Sequence, residues 1–366
     1  MNAGGSRTRG PRPAGAAWLV VALLAGCASS PPPAGTVEPA APASTAPAPA
    51  ATARADGRWP QAQGEVLGRN ARLLVYRPAT GDSFDGIAAR FLGAADQGWQ
   101  IADANDAARP LADQPLRVPL RPLNPLGVQA DRLQTVPILC YHRLGSGVSK
   151  MIVSPAGFEA QMAWLVRHGY RVVRLADVAG FLAGRRPLPQ RSVVLTFDDG
   201  YESFYRHAFP VLKRYGLPAT VFVYTDFLGG GDALTWAQMQ EMLASGLVDV
   251  QSHSKSHRNL IERLPGETEE RYRANLDAEM RIPRDMLERR LPPLKVRHLA
   301  YPFGDADEAV IDSAARHGFE LAATVVPGGN AFFSQPLMLR RTMIFGDMNL
   351  DAFRSRLEVS RPLAAP

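Results

Sequence analysis

Residues Val193-Val194-Leu195-Thr196-Phe197-Asp198-Asp199-Gly200 form an apolar run that breaks off at two adjacent carboxylates and a glycine. The run reads as a buried strand, Gly200 allows a sharp exit from it, and successive side chains at a strand end point in different directions. One carboxylate can therefore bind a cation while its neighbour stays free. Outward from this stretch, similar apolar runs predict strands at 137–141, 171–175, 192–197, 219–224, 248–252, 298–301, 321–325 and 339–344. Helical spacing predicts helices at 158–167, 205–215, 236–245, 267–288 and 306–317. Strands that alternate with helices imply parallel strands joined by helical crossovers, and the number of units points to a barrel rather than an open sheet. In such a fold chemistry gathers at the C-terminal ends of the strands.

A second polar constellation stands at such an end. The 248–252 strand leads into His253-Ser254-Lys255-Ser256-His257, whose imidazoles are four residues apart and can converge on one cation. Two His and one Asp leave coordination positions open for water, the arrangement of a hydrolytic rather than a structural metal site. Zn²⁺, Co²⁺ and Ni²⁺ all accept these donors. Cys140, in the apolar run Val136-Pro137-Ile138-Leu139-Cys140, reads as a buried and inert thiol.

Thr196-Phe197-Asp198-Asp199-Gly200 and His253-Ser254-x-Ser256-His257 resemble the first two motifs of the polysaccharide deacetylases of the NodB-homology type, carbohydrate esterase family 4. Ala300-Tyr301-Pro302-Phe303-Gly304 resembles the third. Val136-Pro137-Ile138-Leu139-Cys140-Tyr141-His142 resembles the opening strand of the branch that deacetylates poly-N-acetylglucosamine exopolysaccharide. The resemblance implies an α/β fold, a distorted (β/α)7 barrel over residues 133–360, circularly permuted as in that branch. It implies that Asp199, His253 and His257 hold a divalent metal ion, Zn²⁺ first, with Co²⁺ and Ni²⁺ as alternatives. It implies further that Asp198 is the general base, that the backbone N–H of Phe303 faces the oxyanion, and that His142 protonates the leaving amine. Many members carry Arg where this chain has Ala300, paired with the catalytic Asp; Arg340 and Arg341 are the candidates to replace it. His298, on the same strand, reads as structural.

The chain has 366 residues, 46% of them hydrophobic, with a formal charge of +6, which excludes a wholly disordered chain and a multispan membrane protein. Residues 1–26 carry Arg7, Arg9 and Arg12 without an acidic residue, then an apolar run at 16–26. That run is shorter than the roughly 20 residues of a membrane span and suits a secretory signal. Leu24-Ala25-Gly26-Cys27 resembles a bacterial lipobox, which implies a diacylated Cys27; Ala28 after it implies the periplasmic face of the outer membrane. Removing 26 residues with three Arg and no acid takes the charge from +6 to +3, and no nucleic-acid partner is expected. Residues 27–60 form a Pro/Ala-rich linker expected to be disordered and extended.

Residues 68–122 read as a small βααβ domain. Its Gly81-Asp82-Ser83, Ile87-Ala88, Arg90-Phe91, Asn105 and Leu116-x-Val118-Pro119 resemble a LysM module, a binder of N-acetylglucosamine-containing glycans, with Gln114 where a glycine is usual. Together the resemblances imply metal-dependent removal of N-acetyl groups from N-acetylglucosamine polymers of the cell envelope by a lipid-anchored enzyme. The 136–142 strand favours an exopolysaccharide substrate, and the LysM-like module favours peptidoglycan, to which it would bind. A non-catalytic envelope glycan-binding lipoprotein is the alternative from another class; the retained Asp198, Asp199, His253 and His257 argue against it.

Overall fold

The structure, a computed structural model, describes residues 61–363. The expected signal at 1–26, Cys27 and the 27–60 linker lie outside the described residues. Among the described residues no helix is long and apolar enough to cross a membrane.

The first unit has strands Glu65–Arg69, Leu73–Arg77 and Leu116–Pro119 in one antiparallel sheet, with helices Phe84–Phe91 and Gly98–Asn105 between the last two. The βααβ order expected at 68–122 is present, preceded by one further strand. Glu65–Arg69 is exposed along its whole length, so it offers no apolar alternation to read. Ser83 caps the first helix by accepting from the Gly86 N–H at 3.0 Å. Leu74, Tyr76, Ile87, Ile101 and Val118 fill the space between sheet and helices. Asn105 ties the second helix to the last strand, donating to Arg117 O at 2.8 Å and accepting from Arg117 N–H at 2.9 Å.

The larger unit is an α/β fold whose sheet curls into a half-barrel, the coarser form of the expected distorted (β/α)7 barrel. Its parallel strands run, side by side, Leu321–Ala323, His298–Ala300, Val248–Ser252, Ala219–Val223, Ser192–Phe197 and Val136–Tyr141. The 339–343 segment touches both outer strands. Leu339 N–H donates to Ala322 O at 2.9 Å, and Thr342 and Met343 pair in parallel with Leu139 and Cys140. Of the strand expected at 339–344, only Thr342–Met343 is a ladder. The strand expected at 171–175 is shortened to Arg171–Val172, because Leu175, Val178 and Phe181 have helical spacing and are the buried face of an unexpected helix, Leu175–Leu182. The five expected helices correspond to Pro155–Arg167, the 204–215 segment, Trp236–Ala244, Glu269–Arg290 and Glu308–Arg316.

Aromatic side chains lock the ends of the neighbouring Val136–Tyr141 and Ser192–Phe197 strands together. Tyr141 stacks on Phe197 at 5.1 Å, and Phe158 packs edge-on against Tyr141 at 5.4 Å and against Phe197 at 5.7 Å. His298 is buried, 3% exposed, with Nδ1 lacking a partner among the described residues. Burial keeps its imidazole neutral and pushes its pKa from 6.5 down to about 4. Between those values the unfolded chain binds a proton that the folded chain does not, so stability falls as pH drops through that window and levels off below it. In His298→Gln, up to about 3 kcal/mol of that acid loss should be absent. Urea unfolding of both proteins at pH 7 and pH 4 checks this; parallel losses would refute it.

Candidate active site

The two adjacent carboxylates diverge because the backbone turns left-handed between them. Asp198 N–H still continues the sheet ladder, donating to Tyr141 O at 2.9 Å, whereas Asp199 and Gly200 have φ of 73° and 75°. Asp199 is an uncommon non-glycine residue in that region. At Gly200 a Cβ would come within 2.9 Å of Val223 Cγ1, so the sharp exit needs the glycine.

Asp198 turns into the sheet. Arg341, wholly buried, donates Nη1–H to Asp198 Oδ1 at 2.6 Å and Nη2–H to Oδ2 at 2.8 Å, with Nε–H held by Thr324 O at 2.9 Å. Of the two arginines named from sequence, Arg341 is therefore the partner; Arg340 faces outward and donates to Pro327 O. Burial works to raise the Asp198 pKa, but Arg341 and, beyond it, His253 hold the carboxyl far below the usual carboxylate range. The Cys140 thiol adds a third donor to the carboxylate, with Sγ 3.4 Å from Oδ2. His142, half-buried just past the Val136–Tyr141 strand, lies on this side too: donor atoms of Cys140, His142 and Asp198 fall within 4.8 Å of one another.

Asp199 turns towards the histidines. One donor atom each from Asp199, His253 and His257 lies within 4.8 Å of the others. His253 presents Nε2 to the group because its Nδ1–H is donated to Ala300 O at 2.7 Å. Burial lowers the His253 pKa, which favours the neutral imidazole a cation needs. Asp199 Oδ1 lies 3.2 Å from His257 Nε2 and 3.6 Å from His253 Nε2, yet it is buried without a hydrogen bond among the described residues. A buried carboxylate oxygen without a donor, facing two imidazole nitrogens, fits a divalent cation between them.

The loop carrying the histidines is held from below. Glu279, buried on the Glu269–Arg290 helix, accepts from Lys255 N–H and Ser256 N–H, each at 2.9 Å, and from Ser256 Oγ at 2.6 Å. His257 N–H donates to Ser254 Oγ at 3.1 Å. Phe303 sits left-handed, φ 60°, in the one-turn segment Pro302–Gly304; the residue is 59% exposed and its ring lies 5.0 Å from the His257 ring. On the opposite flank Arg143 lies 3.6 Å above the Tyr201 ring and is paired with Asp232. Sequence reading missed Glu279, Arg143, Tyr201 and Asp232. Tyr201, directly after Asp198-Asp199-Gly200, had a positional signal; Glu279, on a helix rich in charge, had none.

Residues 185–322 match the family model described as Polysaccharide deacetylase. The chain is similar to the Poly-beta-1,6-N-acetyl-D-glucosamine N-deacetylase of Escherichia coli (strain K12), 28% identical over 240 residues that make up 57% of this chain and 36% of that relative. It thus spans only about a third of that relative's length. Among solved structures it is similar to the Streptococcus pyogenes deacetylase PplD in complex with acetate, with 27% identity, a TM-score of 0.56, and coverage of 62% of this chain and 99% of that one. It is also similar to IcaB from Ammonifex degensii, with 29% identity, a TM-score of 0.55, and coverage of 62% and 97%.

Replacing Arg341 by Met leaves an ionised carboxylate buried without its partner, which should cost about 3–5 kcal/mol of stability. In an Asp198→Asn background the same replacement should cost much less. Denaturant unfolding of the four proteins in a double-mutant cycle measures the difference, and equal costs in both backgrounds would show that the pair is not coupled.

Proposed function

We propose, from the polysaccharide deacetylase domain that this chain carries, that this amide-bond hydrolase removes acetyl groups from the N-acetylglucosamine units of an envelope polysaccharide, an exopolysaccharide of the poly-N-acetylglucosamine kind first. The observation that carries the reading is the divergence of consecutive carboxylates. Asp199, with a donor-less buried oxygen, joins two imidazoles, while Asp198 is fixed by Arg341 beside them. A barrel that only bound glycan would have no use for a buried carboxylate left without a donor.

Asp199, His253 and His257 would hold the metal, Zn²⁺ first, with Co²⁺ and Ni²⁺ as alternatives. A divalent ion there supplies a bound water of lowered pKa and a Lewis acid for the acetamide carbonyl. Asp198, kept ionised by Arg341, accepts the proton of the attacking water. The Phe303 N–H faces the oxygen on which charge develops. His142, on the Asp198 side of the site, delivers a proton to the leaving amine, so that acetate and a free glucosamine unit depart. The geometry supports this division of labour, with Asp198 held by Arg341 and Asp199 grouped with His253 and His257.

Peptidoglycan is the second substrate reading, favoured by the small unit with its two helices against a three-stranded sheet, which we read as a LysM-like tether to the wall. The Leu24-Ala25-Gly26-Cys27 sequence supports a lipid anchor at Cys27 on the periplasmic face of the outer membrane.

Acetate release from β-1,6-linked N-acetylglucosamine oligomers and from peptidoglycan, each with and without chelator, tests the activity. Release from the oligomers that chelator stops and Zn²⁺ restores is expected. Release from peptidoglycan alone would replace the substrate, and none from either with Zn²⁺, Co²⁺ or Ni²⁺ would end the enzyme reading. Asp198→Asn should lower kcat by at least about 10²-fold while bound metal, measured by elemental analysis, is retained; Asp199→Asn should lose the metal. Cys27→Ser should move the protein from the membrane to the soluble fraction on cell fractionation; unchanged membrane association would refute the anchor.

A further inference from the structure

We propose a second, non-catalytic glycan site at the opposite end of the sheet, a cleft between the small unit and the larger one that takes one neutral pyranose ring of the polymer. It rests on the polymer-substrate reading above.

Strand polarity places the cleft. The Ser192–Phe197 strand starts at Ser192, beside Arg171, and ends at Asp198. The small unit meets the larger one at the starting end. Asp103, on the Gly98–Asn105 helix, accepts from Gln190 N–H at 3.3 Å, and Asp96 lies 3.9 Å from Arg186. The six residues of the strand span about 20 Å, so the cleft and the candidate metal site lie at least that far apart along it, with packed core between them.

The cleft is a cavity of about 150 Å³. The cleft is half open to solvent, so one six-membered ring can seat in it with its substituents outside. Trp99 and Leu188 give it apolar surface, and Asp103, Gln129 and Gln190 give it polar surface. Gln190 is exposed and Gln129 half-buried, so both side-chain amides can exchange water for a ligand, and no Lys or Arg lines the cavity. A pyranose presents an apolar C–H face to an indole and hydroxyls at its edge to amides and a carboxylate. The absence of cationic side chains disfavours an anionic glycan, and an indole wall with amides and a carboxylate beside it suits a neutral sugar. N-Acetylglucosamine, the unit that the polymer supplies in quantity, fits this chemistry.

Held at this end and processed at the other, one polymer chain would engage the molecule twice, which raises its apparent affinity without a new contact at the catalytic mouth. A trisaccharide is too short to reach both. Trp99→Ala should therefore raise the KM for the polymer on the order of tenfold, with kcat unchanged and kcat/KM for the trisaccharide unchanged. The Gln129→Ala/Gln190→Ala double variant, which removes no packing side chain, should move KM in the same direction and serves if Trp99→Ala fails to fold. An unaltered polymer KM in the folded variants would overturn the proposal, as would an equal loss on polymer and trisaccharide. If the wild-type protein released no acetate from either, the fault would lie with the function reading. Co-sedimentation of full-length protein with insoluble poly-β-1,6-N-acetylglucosamine would then decide the site: retention by wild type and loss in Trp99→Ala supports it, and equal retention refutes it.

Discussion

The Arg341–Asp198 pair is the constraint on which the rest of the catalytic end depends. Both side chains are all but inaccessible, at 0% and 3% exposure, and taking two such charges out of water costs several kcal/mol per ion. The structure offsets that cost by leaving little unsatisfied. Each carboxylate oxygen has its own guanidinium N–H, the third guanidinium direction is taken by Thr324 O, and Phe222 lies under the cation with its ring centre 5.5 Å away. Arg341 can reach Asp198 only because it sits between Leu339, which bonds the Leu321–Ala323 strand, and Thr342, which pairs with Leu139 of the Val136–Tyr141 strand. The curling of the sheet and the ionised state of Asp198 are thus one arrangement. A sheet splayed open at this seam would strand the carboxylate.

The candidate ligand side is built on strain rather than on charge pairing. Asp199, Ser254, His257 and Phe303 all have positive φ, at 73°, 71°, 60° and 60°, and all lie within the loops that follow parallel strands. Such conformations cost of order 1–3 kcal/mol each for non-glycine residues and persist only where neighbours over-determine them. Glu279 supplies much of that determination for the 254–257 turn, gathering two backbone N–H groups and a hydroxyl onto one carboxylate. The Ala300 carbonyl does the same for the His253 ring. These hydrogen bonds come from the protein's own groups, so the positions of the donors are over-determined by the fold.

What the sequence disclosed follows the range of the interactions. Asp198, Asp199, His253 and His257 were legible because each follows a buried apolar run, and two such runs suffice to bring them to the same end of a parallel sheet. His142 was legible for the same reason. Arg341 was narrowed only to a choice with Arg340, since neighbours in sequence point to opposite faces of a strand and nothing local says which face is inward. Glu279 was illegible: it is 23 residues from Ser256, on a helix whose surface is so charged that one buried glutamate leaves no trace in the pattern. The helix Leu175–Leu182 was masked by the apolar residues directly before it, which alone read as a strand. The exposed strand Glu65–Arg69 is held by pairing with Leu73–Arg77 rather than by burial, and backbone pairing has no residue signature.

The polarity of parallel strands then separates two tasks that a smaller fold would have to combine. At the starting ends Gln190 is free to bond Asp103 of the small unit, since no reacting group emerges there. At the finishing ends the side chains are withheld from packing. Phe303 stays 59% exposed beside His257, and Tyr224, half-buried, flanks the same imidazole from 5.1 Å. Leaving a large ring exposed forgoes burial worth about 1.5–3 kcal/mol, and two aromatic faces so placed narrow the approach to the His257 side.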